Sequence, residues 1–296
     1  MNWQELETFL TLAEELHFGR AADRLHVSRA RVSQMTKALE RRVGGPLFER
    51  TSRQVTLTPL GRQLRDDLDP HHHGVLAALA KASDTARGTG GVLRVGFSSP
   101  RASERLMAII ETFRDEHPRC EVQIREVHLS DRFGLLRKGE LDVQLIELPV
   151  DEPDVTVGPV LIRDPLVLVT SRSHRLADRA AVSLDDLADE TLLMIDGMDE
   201  CLRDWVFPQR TPSGRPVRRV TTTTYWQEML ALVAAGEGVT FATAQGARYY
   251  PRPNLAYIPV EDVPPLEYAL LWREAAVTAK GLAFIRVAQR FVRTRP

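Results

Sequence analysis

Arg29, Ala30, Ser33, Gln34 and Lys37, with Arg41 one turn further on, carry the clearest chemistry in this chain. On a helical wheel Ala30, Ser33, Gln34, Lys37 and Arg41 share one sector and Arg29 sits in the first turn, while Val32, Thr36, Leu39 and Val43 fall in a narrow sector on the other side. The polar sector is short in side chain near its start and basic further along. Small side chains let a helix approach a DNA groove closely, and Arg, Gln and Ser carry donors and acceptors that match base edges. The chemistry implied is hydrogen-bond readout of double-stranded DNA rather than bond making. No Gly-x-Ser-x-Gly elbow, phosphate-cradling loop or His/Glu metal spacing occurs, so neither an enzyme nor a metal or cofactor is expected. The pairs Asp66-Asp67, Asp185-Asp186 and Asp199-Glu200 read as charged helix surface. His71, His72 and His73 are consecutive, so they splay around a helix and read as a solvated patch.

The neighbouring sequence supplies what must hold such a helix. Ser28 can cap its first turn by accepting from a free backbone N–H. Upstream, Leu6, Phe9, Leu10 and Ala13 recur at helical spacing, a short second helix spans 19–25, and His26-Val27 makes the turn. Downstream, Gly44 and Gly45 stop the helix, since glycine readily takes the left-handed conformation. Pro46-Leu47-Phe48 anchors the chain back on the core. Phe48, Val55 and Leu57 then alternate around a polar tip, which reads as a β-wing bearing Arg50 and Arg53. These two arginines suit phosphate or minor-groove contact; a solvated hairpin is the plainer reading. The fold class expected for 1–58 is therefore a mainly α winged helix-turn-helix.

At these residues the chain resembles the LysR-type transcriptional regulators. The resemblance is carried by Phe18, Ala21, Ala22, Leu25, Val27 and Ser28, then Ser33, Leu39, Glu40 and Gly44. It continues through Pro46-Leu47-Phe48-Glu49-Arg50, Arg53, Leu57-Thr58 and Gly61. The set is ordered and ungapped, and a weaker likeness in layout extends over the rest of the chain. Arg29, Ala30 and Arg31 stand where members usually carry Gln, Pro and Ala. Gln34 stands in a usual Arg position and Thr36 in a usual Ile position.

Composition fits two soluble domains. The chain has 296 residues and a formal net charge of −1, so any nucleic-acid binding must come from local clustering. Basic residues do cluster around 20–53, and much of the Asp and Glu lies in 104–204. The two cysteines, Cys120 and Cys201, are far apart and read as unrelated buried thiols, with a redox-sensing pair as the alternative. The N-terminus lacks a signal-peptide pattern and no apolar run approaches the length of a membrane span, so a cytoplasmic protein with no membrane partner is expected.

A helix should begin at Thr58-Pro59, with Leu60, Leu64 and Leu68 in one stripe. Pro70 should kink it, and the stripe resumes at Val75, Leu79, Ala82 and Ala86. Such a helix should pair with a second chain, and residues 59–90 are read as linker and dimerisation helix. After the hinge Gly88-Thr89-Gly90-Gly91 the pattern becomes β-α-β-α-β, the signature of a mostly parallel sheet. Strands are expected at 92–97, 121–128, 141–148, 166–170, 191–195, 217–223, 239–243 and 268–272, with a terminal helix over 278–292. Residues 91–296 then form two α/β lobes, 91–163 with 266–296 and 164–265, and a cleft between them is the default ligand site.

Ser98 and Ser99, at the start of a helix, suit a carboxylate or similar anion, and simple capping explains them equally well. Ser130, Asp196 and Phe241 end other strands that should face the same cleft, while Asp131 reads as a helix cap. The resemblance implies a periplasmic-binding-protein-like effector domain for a small molecule, use of the 98–100 turn for that effector, a linker-helix homodimer, pairing into a homotetramer, and contact with RNA polymerase. Two rivals stand beside it. A solute-binding protein is opposed by the N-terminal reader, and a ligand-free architectural DNA binder is opposed by the cleft.

Overall fold

The computed structural model describes residues 3–50, 55–87 and 91–294. They divide into two compact units, Met1–Ala78 and Leu79–Pro296.

In the first unit, α1 (Trp3–Glu15), α2 (Phe18–Arg24) and α3 (Arg29–Val43) surround a core of Phe9, Leu12, Ala21, Val32, Leu39 and Leu47. The Ser28 hydroxyl accepts from Arg31 N at 3.2 Å and so fixes where α3 begins. Gly44, at φ 85°, ends it. The buried stripe is Val32, Met35, Thr36 and Leu39, and it stops a turn earlier than the spacing predicts. Val43 is 37 % exposed, because the helix reaches its glycine stop beyond the edge of the core.

β1 (Phe48–Arg50) and β2 (Val55–Leu57) pair antiparallel as the wing, with Arg50 opposite Val55. Its join to the helices is specific. Glu40 Oε1 accepts from Leu47 N at 3.0 Å, and Thr58 Oγ1 donates to Pro46 O at 2.8 Å while accepting from Gly61 N at 2.9 Å. A Cβ on Gly61 would stand 2.1 Å from the Leu47 carbonyl oxygen, so only glycine admits this contact.

α4 (Pro59–Arg87) is assigned as one helix with Pro70 inside it. Leu64 and Leu68 pack on the first unit's own core. The His72 ring stacks on Trp3 with centroids 4.8 Å apart, and His73 Nδ1 lies 2.8 Å from the Asp69 carbonyl oxygen. His72 and His73 are therefore half-buried and not the solvated patch expected, because the apolar face of α4 turns them towards α1. Burial lowers the His72 pKa, with the neighbouring His73 acting in the same direction.

The second unit is two α/β lobes. The first holds β3 (Gly91–Phe97), α5 (Pro100–Glu116), β4 (Cys120–Glu126), a 3-10 turn over Leu129–Asp131, α6 (Gly134–Arg137), β5 (Val143–Glu147) and β6 (Thr156–Asp164). The second lobe holds β7 (Leu166–Ser171), β8 (Thr191–Ile195), α7 (Glu200–Val206), β9 (Arg218–Thr223), α8 (Trp226–Ala234), β10 (Thr240–Thr243), α9 (Gly246–Tyr249) and β11 (Leu255–Pro259). The chain then returns to the first lobe with β12 (Leu266–Trp272) and α10 (Ala279–Thr294). The first lobe's sheet runs β4-β3-β5-β12-β6. β3 is parallel to β4 and β5, and β12 is antiparallel to both of its neighbours. In the second lobe β7 lies between β10 and β11, and β8 pairs parallel with β9.

Two strands were not expected from sequence. β6 contains Gly158 and Pro159, residue types that ordinarily weaken strands; it lies at the sheet edge, where proline costs no ladder bond. A Cβ on Gly158 would come 2.6 Å from the Trp272 ring, so the glycine makes room for that side chain. β11 is short, ends in Pro259 and is likewise an edge strand.

Candidate functional site

Two surfaces bring the expected residues together. On α3, Arg29, Ala30, Gln34 and Lys37 are exposed and Ser33 is half-buried. Among the described residues no carboxylate pairs with Arg29, Arg31 or Lys37, so their charge is available to a polyanion. Gln34, Lys37, Arg31 and Arg41 border an open groove of about 840 Å³ that continues to Gly45 and Pro46. Arg50 closes the first wing strand. Arg53 lies outside the described residues.

The second surface is a cavity of about 500 Å³ between the two lobes of the C-terminal unit, well within the size range of small-molecule sites. Ser98, Ser99 and Phe241 line it. The Ser99 hydroxyl accepts from Ala102 N at 3.2 Å, so it caps α5. Ser130 and Asp196 are not in the lining. A Cβ on Gly197, which sits at φ 76°, would stand 3.0 Å from both Cβ and the carbonyl oxygen of Ser130. The Asp196 carboxylate folds back on its own loop, accepting from Gly197 N at 2.9 Å. These two turns therefore meet each other and join the lobes beside the cleft, where strand position alone had suggested that they face a ligand. Asp131 accepts from Gly134 N at 2.9 Å, but it closes the 3-10 turn, and the N-cap position of α6 is taken by Phe133, so it is not the helix cap expected.

Glu147 lines the cavity and went unnoticed in the sequence. It is 5 % exposed, at the end of a strand buried along its whole length. Among the described residues, its Oε2 and the Ser98 Oγ are both buried without a hydrogen bond. Burial pushes the Glu147 carboxyl up, while the Arg132 charge pulls it down. No hydrogen bond joins Arg132 to that carboxylate: its guanidinium donates to the Asp199 carboxylate and to the Glu147 backbone carbonyl. The walls are largely aromatic, with Phe207, Tyr225, Trp226 and Tyr250 on the second lobe and Tyr268 at the return strand. Tyr268 is pushed well up by burial and by the nearby Glu147 charge. The overlooked signal was a carboxylate following Leu145 and Ile146, at the C-terminal end of a parallel strand.

Comparison with known proteins places both surfaces in one family. The family model described as bacterial regulatory helix-turn-helix protein, lysR family, matches residues 3–62, and that of the LysR substrate binding domain matches residues 86–293. The HTH-type transcriptional regulator IlvR of Caulobacter vibrioides is 34 % identical over 291 residues, which cover 95 % of this chain and 96 % of that protein. The full-length OxyR C199D structure from Pseudomonas aeruginosa superimposes with a TM-score of 0.62 at 27 % identity, covering 99 % of this chain and 95 % of that one. The fold is shared with full-length CbnR complexed with its target DNA, at a TM-score of 0.64, 20 % identity and coverage of 98 % and 99 %. Among the described residues no helix is long and apolar enough to cross a membrane. The chain belongs to the LysR family and is a DNA-binding transcriptional regulator, a helix-turn-helix reader followed by an effector-binding domain.

Proposed function

We propose that this regulator reads DNA through the exposed face of α3 and is switched by a small molecule held between its C-terminal lobes. Arg29, Ala30, Ser33 and Gln34 meet base edges in the major groove. Lys37, with Arg50 and Arg53 of the wing, meets backbone or minor groove. The observation that carries this reading is the set of basic side chains on α3 with no carboxylate partner among the described residues, since structural arginines and lysines are ordinarily paired or spread.

The stripe of α4 supports a second copy as partner. Its first part is covered by Leu64 and Leu68 packing inward, whereas Val75, Leu76 and Leu79 are 46 %, 43 % and 63 % exposed. Effector domains then pair dimers into a tetramer in the cytoplasm, where the complex meets RNA polymerase. A ligand favouring one degree of lobe closure changes the spacing of the DNA readers to the extent that it binds that state better.

The test is salt-dependent DNA binding of Lys37→Ala against wild type. One lost phosphate contact should flatten the slope of log K against log salt by about 0.9. An unchanged slope removes Lys37 from the interface, and unchanged binding by Arg29→Ala and Ser33→Ala as well would remove the face.

A further inference from the structure

The cavity between the lobes has a charge character of its own. Glu147 is the carboxylate buried in its lining, and the nearest cation, Arg132, is shared with the Asp199 carboxylate. Of the other charged lining residues, Arg101 is held by Glu104 at 3.5 Å, and Glu126 adds a further negative charge. The start of α5 offers little to an anion. Pro100 has no N–H, the Ala102 N–H is taken by the Ser99 hydroxyl and the Ser103 N–H by the Ser99 carbonyl, leaving at most that of Arg101. Opposite this floor stand aromatic rings. Trp226 and Tyr250 meet edge to face at 6.2 Å, and Tyr225, 56 % exposed, stands at the rim against His128. Ring faces attract cations, and a buried carboxylate without a hydrogen bond is costly until a donor reaches it.

We propose that the cleft takes a ligand with a protonated amine on an apolar or aromatic body, the ammonium donating to Glu147 and the body packing on Trp226 and Tyr225. The inference rests on the cleft being the effector site. It reverses the anion preference that Ser98 and Ser99 suggest in the sequence, because Ser99 satisfies its own helix and Ser98 lies beside a carboxylate.

Calorimetric titration of the full-length protein with 2-phenylethylamine, 2-phenylethanol and 3-phenylpropionate tests this. The amine should bind tightest, by roughly ten- to hundredfold over the alcohol, the usual worth of a hydrogen bond to a charged group. Glu147→Gln should bring the amine down to the alcohol, and Tyr225→Ala should weaken the amine and the alcohol alike, since the ring meets the body they share. If Glu147→Gln fails to fold, the wild-type order of the amine over the alcohol and the carboxylate carries the test. Binding of 3-phenylpropionate as tight as the amine, or amine binding untouched by both substitutions, overturns the proposal while leaving the cleft as effector site. No binding of any of the three overturns the proposal and counts against the cleft as well.

Discussion

Arg132 of the first lobe and Asp199 of the second form an ion pair across the effector domain, with the arginine side chain 1 % exposed and the aspartate 24 %. The same aspartate caps α7 by accepting from Leu202 N at 3.1 Å, and the same arginine donates to the backbone of Glu147. One side chain thus ties the start of a second-lobe helix to the strand that carries the buried acid. Replacing Arg132 with Met should leave Asp199 unopposed and cost about 3–5 kcal/mol, as for other half-broken buried pairs. Thermal or urea melting of the second unit measures it, and an unchanged midpoint would show that the pair contributes nothing to stability.

Base reading should turn on Gln34, which is exposed on the α3 face. Its amide can donate and accept at once, matching adenine N6 and N7, whereas arginine favours guanine. Gln34→Arg should shift one position of each half-site from adenine towards guanine by roughly 1–3 kcal/mol. Gln34→Ala should lose discrimination there alone. Selection from a random DNA library reads the outcome, and identical preferences for all three proteins would leave specificity to Arg29 and Ser33.

The two halves of the α4 stripe should respond differently. Leu64 packs on the first unit's core, so Leu64→Glu should lower that unit's stability. Leu79 is 63 % exposed, so Leu79→Glu should leave the far-ultraviolet spectrum intact and dissociate the oligomer in sedimentation. A fully oligomeric Leu79→Glu protein would move the dimer contact elsewhere.

Cys201 should be chemically quiet. Burial pushes its thiol up, and the charges of Asp199 and Asp151 add to this. A raised pKa means less thiolate near neutral pH, hence slow alkylation and oxidation. At pH 7 iodoacetamide should modify it more slowly than a free small-molecule thiol, and Cys201→Ser should not alter DNA binding after peroxide treatment. Faster alkylation than the free thiol would reverse the conclusion.

Much of the reader was legible because local signals govern it: Ser28 and Gly44 bound α3, and Val32, Thr36 and Leu39 bury as their spacing requires. Parts of the effector domain were not, because tertiary context overrides local pattern there. Gly158 is needed where the Trp272 ring presses on β6, which no local rule anticipates. Ser130 and Asp196 do end strands, yet whether a strand end faces a ligand or another turn depends on how the lobes meet. Glu147 was visible as a charge in an apolar strand, but its role emerged only from the cavity around it.

β12 lies between β5 and β6 although it is made long after either. The first lobe's sheet therefore cannot join β6 to β4-β3-β5 until residues 266–272 leave the ribosome, whereas the helix-turn-helix core has its last packing residue by Leu68. At roughly 5–20 residues per second, translation separates the two events by on the order of ten seconds or more. A nonsense mutation or proteolytic cut before β12 would release a folded DNA reader with no sensor, a product able to occupy operators without answering to the cell's chemistry.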